Sequence, residues 1–180
     1  MNRTLVLSIL SDDKPGVVEA LANTIAEHQG NWLESRMSHL AGKFAGILQV
    51  NVAEDQLEGL RNALSQLRAS QGIEVVTSEA AEAQQEGQDI TLQFSLMGND
   101  RPGIIKELSQ AFASQHINLD ELQTSCSSMP WSGDPMFTAH GLLHIPADVD
   151  LDQLQDQLDE ISDNLGVDIE LGAVEDSVAE

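Results

Sequence analysis

Positive charge is scarce in this sequence. Eight Lys and Arg stand against 30 Asp and Glu in 180 residues, a formal charge of −22. Direct binding to nucleic acid needs a basic patch that displaces counterions from phosphates, and so few cations do not easily build one. The same charge repels anionic membrane surfaces. Simple solubility, or adaptation to a salty interior, is the plain account of such an acidic chain. Cysteine is nearly absent too. Cys126 stands alone, which excludes an internal disulfide, and no Cys/His spacing suits zinc. No apolar run approaches the length of a membrane span, and the apolar stretch in MNRTLVLSILSDDKPG is too short for a secretory leader. A soluble cytoplasmic protein is expected. Also missing are a Ser/Cys–His–acid constellation and the Gly-Lys-Ser/Thr of a phosphate loop. Neither catalysis nor a cofactor or metal is therefore expected.

What is present is a repeat. SDDKPGVVEALANTIAEHQGN from Ser11 matches GNDRPGIIKELSQAFASQHIN from Gly98 at an offset of 87 residues. At that offset Leu5, Leu7 and Ile9 fall on Leu92, Phe94 and Leu96, alternating as in a half-buried strand. Val17, Val18, Leu21 and Ile25 fall on Ile104, Ile105, Leu108 and Phe112, one apolar face of a helix. Asn31 falls on Asn118. Further on, FAGILQVNV from Phe44 resembles TAHGLLHIP from Thr138, with about eight extra residues in the second copy, within SCSSMPWSGDPMF. Leu57, Leu60, Leu64 and Leu67 then match Leu151, Leu154, Leu158 and Ile161. Gly72 and Gly166 follow as helix terminators, before short strands from Ile73 and Val167.

Each copy reads strand–helix–strand–strand–helix–strand. Short connections favour an α+β, ferredoxin-like βαββαβ unit: an antiparallel sheet with both helices on one face. The expected divisions are residues 1–78, a linker at 79–88, a second unit at 89–172 and an acidic tail at 173–180. A unit this small buries little core, so packing of the units together or a homodimer is expected.

The doubled turn carries the functional signal. Asp13 and Asp100 are candidate N-caps, and Pro15 and Pro102 suit a first helical turn. Gly16 and Gly103 leave the helix start unobstructed. Free N–H groups at a helix N-terminus, with their partial positive charge, suit a carboxylate or phosphate. One such turn would simply start a helix; two in matching surroundings point to binding.

DRPGIIKEL with HINLDEL, and DKPGVVEAL with GNWLESRM, resemble the turn-plus-helix and second-strand entry of the ACT family. The resemblance covers the chain apart from linker and tail, and is nearest to the stand-alone ACT pairs that control transcription of glycine cleavage. It implies a small amino acid, such as glycine, bound at a domain interface between the first turn and the segment entering the second strand. Carried over, the residues are Asp13, Pro15, Gly16 and Asn31, and in the second copy Gly98, Asn99, Asp100, Arg101, Pro102, Gly103 and Asn118. The resemblance further implies a protein partner, such as a transcription regulator, with no direct contact to nucleic acid. A regulatory subunit of an amino-acid metabolic enzyme is the alternative, and a ligand-free assembly module a third reading. Gly98-Asn99 replaces Ser11-Asp12 ahead of the second turn. Gly98 would admit closer backbone approach, and Asp12 would place negative charge beside a bound carboxylate, so the second copy is the expected site.

Three other features invite attention. The loop around Cys126, Met129 and Trp131 reads as a tolerated insertion, as a redox element, or as a docking surface if its Trp is exposed. His140 and His144 share a strand face but lie too far apart for one zinc. Acid is unevenly shared: residues 1–87 carry 6 basic and 12 acidic side chains, residues 88–180 carry 2 and 18. A basic partner would therefore meet the second half first.

Overall fold

The computed structural model describes residues 1–81 and 89–174, which form two compact units. Most of the expected linker and tail lie outside the described residues. The first unit runs β1 (Asn2–Asp12), α1 (Val17–Glu27), β2 (Asn31–Leu40), β3 (Lys43–Ala53), α2 (Leu57–Gln71), β4 (Glu74–Glu79). The second repeats it as β5 (Ile90–Asn99), α3 (Ile104–Ser114), β6 (Asn118–Ser128), β7 (Pro135–Ile145), α4 (Leu151–Leu165), β8 (Val167–Ala173). The sheet orders are β2-β3-β1-β4 and β6-β7-β5-β8, with every neighbour antiparallel. This is the βαββαβ α+β fold expected from the repeat.

Alternation dictates which sheet face is covered. Leu5, Leu7 and Ile9 on β1 and Leu48, Val50 and Val52 on β3 point to one face and are buried under the helices. Val17, Leu21 and Ile25 of α1, with Leu57, Leu60, Leu64 and Leu67 of α2, complete that core. In the second unit Phe94 and Phe112 meet with ring centroids 5.4 Å apart and planes tilted by 57°, an edge-inclined arrangement favoured by the ring quadrupoles. The outer strands β2 and β6 carry a register shift at matching places, after Trp32 and after Leu119. Such bulges twist an edge away from further pairing.

Two expectations need correction. Val50 faces Leu5 and Leu143 faces Leu92, so Phe44 corresponds to Phe137, one residue before Thr138, and the surplus in the second copy is six residues. That surplus lengthens the β6–β7 hairpin, which in the first unit turns through Ala41 and Gly42 alone. Secondly, Asp13 and Asp100 do not cap their helices. The N-cap residues are Gly16 and Gly103, with no side-chain cap bond, and Pro15 and Pro102 sit before the helix. The strand runs on through Asp12 and Asn99, and the left-handed glycine makes the corner. The aspartate that does cap is Asp150, whose Oδ1 accepts from Asp152 N at 3.0 Å and Gln153 N at 3.2 Å.

Candidate functional site

Each turn is held at three equivalent points. The Asp13 N–H donates to the Gly42 carbonyl at 2.9 Å, and the Asp100 N–H to the Pro135 carbonyl at 2.9 Å, so the turn leans on the hairpin of its own unit. Gly16 (φ 93°, ψ 0°) and Gly103 (φ 97°, ψ −4°) then reverse the chain in the left-handed region open mainly to glycine. Their carbonyls accept the first helical bonds, from Ala20 and Glu107 at 2.9 Å. The basic residue of the motif forms the third point. Lys14 Nζ donates to the Gln71 carbonyl at 2.5 Å, and Arg101 Nη1 to the Leu165 carbonyl at 3.2 Å. Gln71 and Leu165 are the equivalent last residues of α2 and α4, each followed by a left-handed glycine. A cation there satisfies a terminal carbonyl and complements the helix dipole.

This arrangement leaves the start of α1 and α3 bare. The first-turn N–H groups have no intrahelical acceptor and no side chain caps them. A Cβ added to Gly16 or Gly103 would meet nothing within 4 Å, so the space before the helix is open. In the first unit it adjoins a cleft of about 250 Å³ lined by Lys14, Pro15, Gly16, Glu19, Asn23 and Gln71 among others. Asn23 and Glu19 were missed from sequence; they follow the turn by helical spacing but differ from Gln110 and Lys106 at the same places in the second copy. A carboxylate fits the bare N–H groups and an ammonium fits Glu19 or the Asn23 amide oxygen.

The residues ahead of the turns do something other than expected. The side-chain position at Gly98 is taken by a neighbouring strand: an added Cβ would lie 2.5 Å from Val167 Cγ1 and 3.0 Å from its Cα. The β5–β8 ladder extends to the Gly98–Val167 pair, whereas β1–β4 stops at Leu10–Glu74. Ser11 is buried, and its hydroxyl donates to the Asp12 carbonyl at 3.0 Å. The Asp12 carboxylate is in contact with the Lys43 ammonium. The hydrogen bond and charge of Lys43 hold its carboxyl below the ordinary range, and the cation offsets the negative charge expected to repel a ligand.

Asp13, Pro15 and Gly16 thus gather at one turn, and Gly98 to Gly103 at the other. Asn31 and Asn118 do not join them within a unit. Asn31 is level with Asn51 and Thr4, while Asp12 is level with Lys43, a separation of roughly 26 Å along the strand. The Asn118 amide instead donates to Asp120 Oδ1 at 2.7 Å. Cys126, exposed on β6, has its thiol beside Asp100. Desolvation, then the Asp100 charge and hydrogen bond, push that thiol up. His144 Nε2 lies 2.8 Å from Asp89 Oδ2, and His140 is exposed. No group of three His, Cys, Asp or Glu among the described residues is arranged to hold a metal, and no helix among them is long and apolar enough to cross a membrane.

Residues 3–78 match the family model of the ACT domain. That match spans the first unit. The second has the same ACT fold, strand for strand. Two solved structures align along nearly the full length. A protein of Galdieria sulphuraria described as unknown is 24% identical, with a TM-score of 0.85 over 97% of this chain and 99% of that one. A protein put forward as a glycine cleavage system transcriptional repressor is 17% identical, with a TM-score of 0.68 over 96% and 97%. At such identities the likeness speaks for the tandem fold alone. No curated protein matches the sequence.

Proposed function

We propose that this ACT pair is a regulator that senses a small amino acid at its glycine turns and acts through contact with another protein. The observation that carries the reading is the uncapped helix start behind Gly16, repeated behind Gly103: bare N–H groups, open space, and a basic residue already committed to a neighbouring helix. Such a site takes a carboxylate through backbone N–H groups. In the first unit Glu19 and Asn23 stand where an ammonium would be received. The likeness to a protein put forward as a glycine cleavage system transcriptional repressor supports glycine as the first ligand to try and a DNA-binding regulator as the partner. A charge of −22 favours contact with that protein over contact with DNA. Regulation of an amino-acid metabolic enzyme by the same site is the second reading.

The test is a thermal-shift series with glycine, serine and the other common amino acids. A ligand at one hundred times its Kd stabilises the native state by about 2.7 kcal/mol. Gly16→Ala and Gly103→Ala fill the open space with a methyl group and should abolish the shift at their own turn, each against its own baseline. No shift with any amino acid in the wild type removes the sensing reading. Binding of glycine that leaves association with a DNA-binding regulator unchanged, but alters an enzyme's rate, favours the second reading.

A further inference from the structure

The surplus in the second copy has no use in the ACT fold itself, since the first unit closes the same hairpin through Ala41 and Gly42. In the second unit β6 and β7 run on to a tip at residues 129–134. At that tip Trp131 is 99% exposed. A tryptophan side chain offers about 150–250 Å² of mainly apolar surface and is costly to leave in water. Around it, the Met129 N–H donates to the Asp134 carbonyl at 2.9 Å, the Gly133 N–H to the Met129 carbonyl at 3.0 Å, and the Asp134 N–H to Ser132 Oγ at 3.2 Å. Gly133 supplies the left-handed corner at φ 76°. The indole is therefore presented by a hydrogen-bonded loop, whose ordering cost is met before any partner arrives.

We propose that the β6–β7 tip is the docking anchor for a protein partner, with Trp131 entering an indole-sized apolar pocket bordered by Lys or Arg. Trp is the residue type most enriched among those that dominate binding energy. The class of partner follows from charge: residues 88–180 carry 2 basic and 18 acidic side chains, so a basic rim is attracted and a second copy of this chain is repelled. The hairpin also touches the sensing turn. Pro135, where the tip meets β7, accepts from the Asp100 N–H at 2.9 Å, and Cys126 lies beside the Asp100 carboxylate. The inference rests on the reading of this chain as a regulator acting by protein contact, and it gives amino-acid occupancy of the second turn a short path to the docking tip.

The probe is a displayed library of random peptides, selected on the full chain. The expected binders combine Lys or Arg with an aromatic or large aliphatic residue, weaken as salt rises, and lose about tenfold or more in affinity on Trp131→Ala. Trp131→Phe should restore part of that loss. A second variant, in which residues 129–134 are replaced by the two-residue turn of the first unit, should lose binding equally. Both variants should keep the wild-type melting temperature and any amino-acid thermal shift, which separates this inference from the sensing reading. Absence of binders, or binders that recognise Trp131→Ala and wild type alike, overturns the proposal. Self-association that disappears in Trp131→Ala also overturns it, by making the occupant a second copy.

Discussion

Gly98→Ser would import into the second unit the residue that the first unit carries at the same place. An added Cβ there falls 2.5 Å from Val167 Cγ1 and 3.0 Å from both its Cα and Cβ, where carbon atoms ordinarily keep about 3.5–4.0 Å. Rotating the Val167 side chain relieves only the first contact, and a β-branched residue rotates reluctantly. The backbones of β5 and β8 must therefore separate. Gly98 is also paired with Phe137 on its other side, so the movement loosens two ladders. Overpacking of this kind costs about 1–3 kcal/mol, less about 0.4–1 kcal/mol regained because glycine is more flexible when unfolded. For a unit of this size, each kcal/mol lowers the melting temperature by roughly 4–8 °C. The middle of that range, a net cost of about 1.3 kcal/mol, should show in calorimetry as the second unit melting about 5–10 °C earlier while the first is unchanged. The opposite pattern, an unchanged melt with amino-acid binding abolished, would refute the packing argument and return Gly98 to the role of admitting a ligand.

Three further outcomes follow from the same geometry. Asp150→Ala removes the cap of α4 and should cost about 0.5–2 kcal/mol, whereas Asp100→Ala, which caps nothing, should stay within about 0.5 kcal/mol; chemical denaturation distinguishes them. Asp100→Asn removes a charge that keeps the Cys126 thiol protonated, so alkylation at neutral pH should speed up as the thiolate fraction rises; an unchanged rate would mean that Asp100 does not act on the thiol. Lys43→Met should return the Asp12 carboxyl towards its ordinary value of 3.8, as read by a carboxyl-carbon NMR titration. With the folded value depressed in the wild type, whatever Asp12 contributes to stability is present above 3.8 and is lost as pH falls through the folded value. The variant should lack that acid-side loss.

The sequence alone determined the architecture. Alternating Leu5, Leu7 and Ile9, helical spacing from Leu57 to Leu67 and their second copies leave one way to bury most of these side chains together: two helices on one sheet face. Hydrophobic periodicity is local, so a reader of the sequence can see it. The motif's two glycines were legible as an unobstructed helix start; that both turn the chain at positive φ is seen only in the structure.

What the turn residues do to one another depended on tertiary structure. Arg101 was carried over as a ligand group beside a proline and a glycine, yet it and Lys14 reach helix ends 64 and 57 residues away in sequence. Gly98 looked like access for a ligand, and in the structure its missing side chain makes room for Val167. Asn31 and Asn118 entered through the family resemblance as part of a site at a domain interface, and within its own unit Asn31 lies at the far end of the sheet from its turn. Charges, caps and close contacts are made between segments that only the fold brings together. Their partners are set by distance in space, and no spacing along the chain records it.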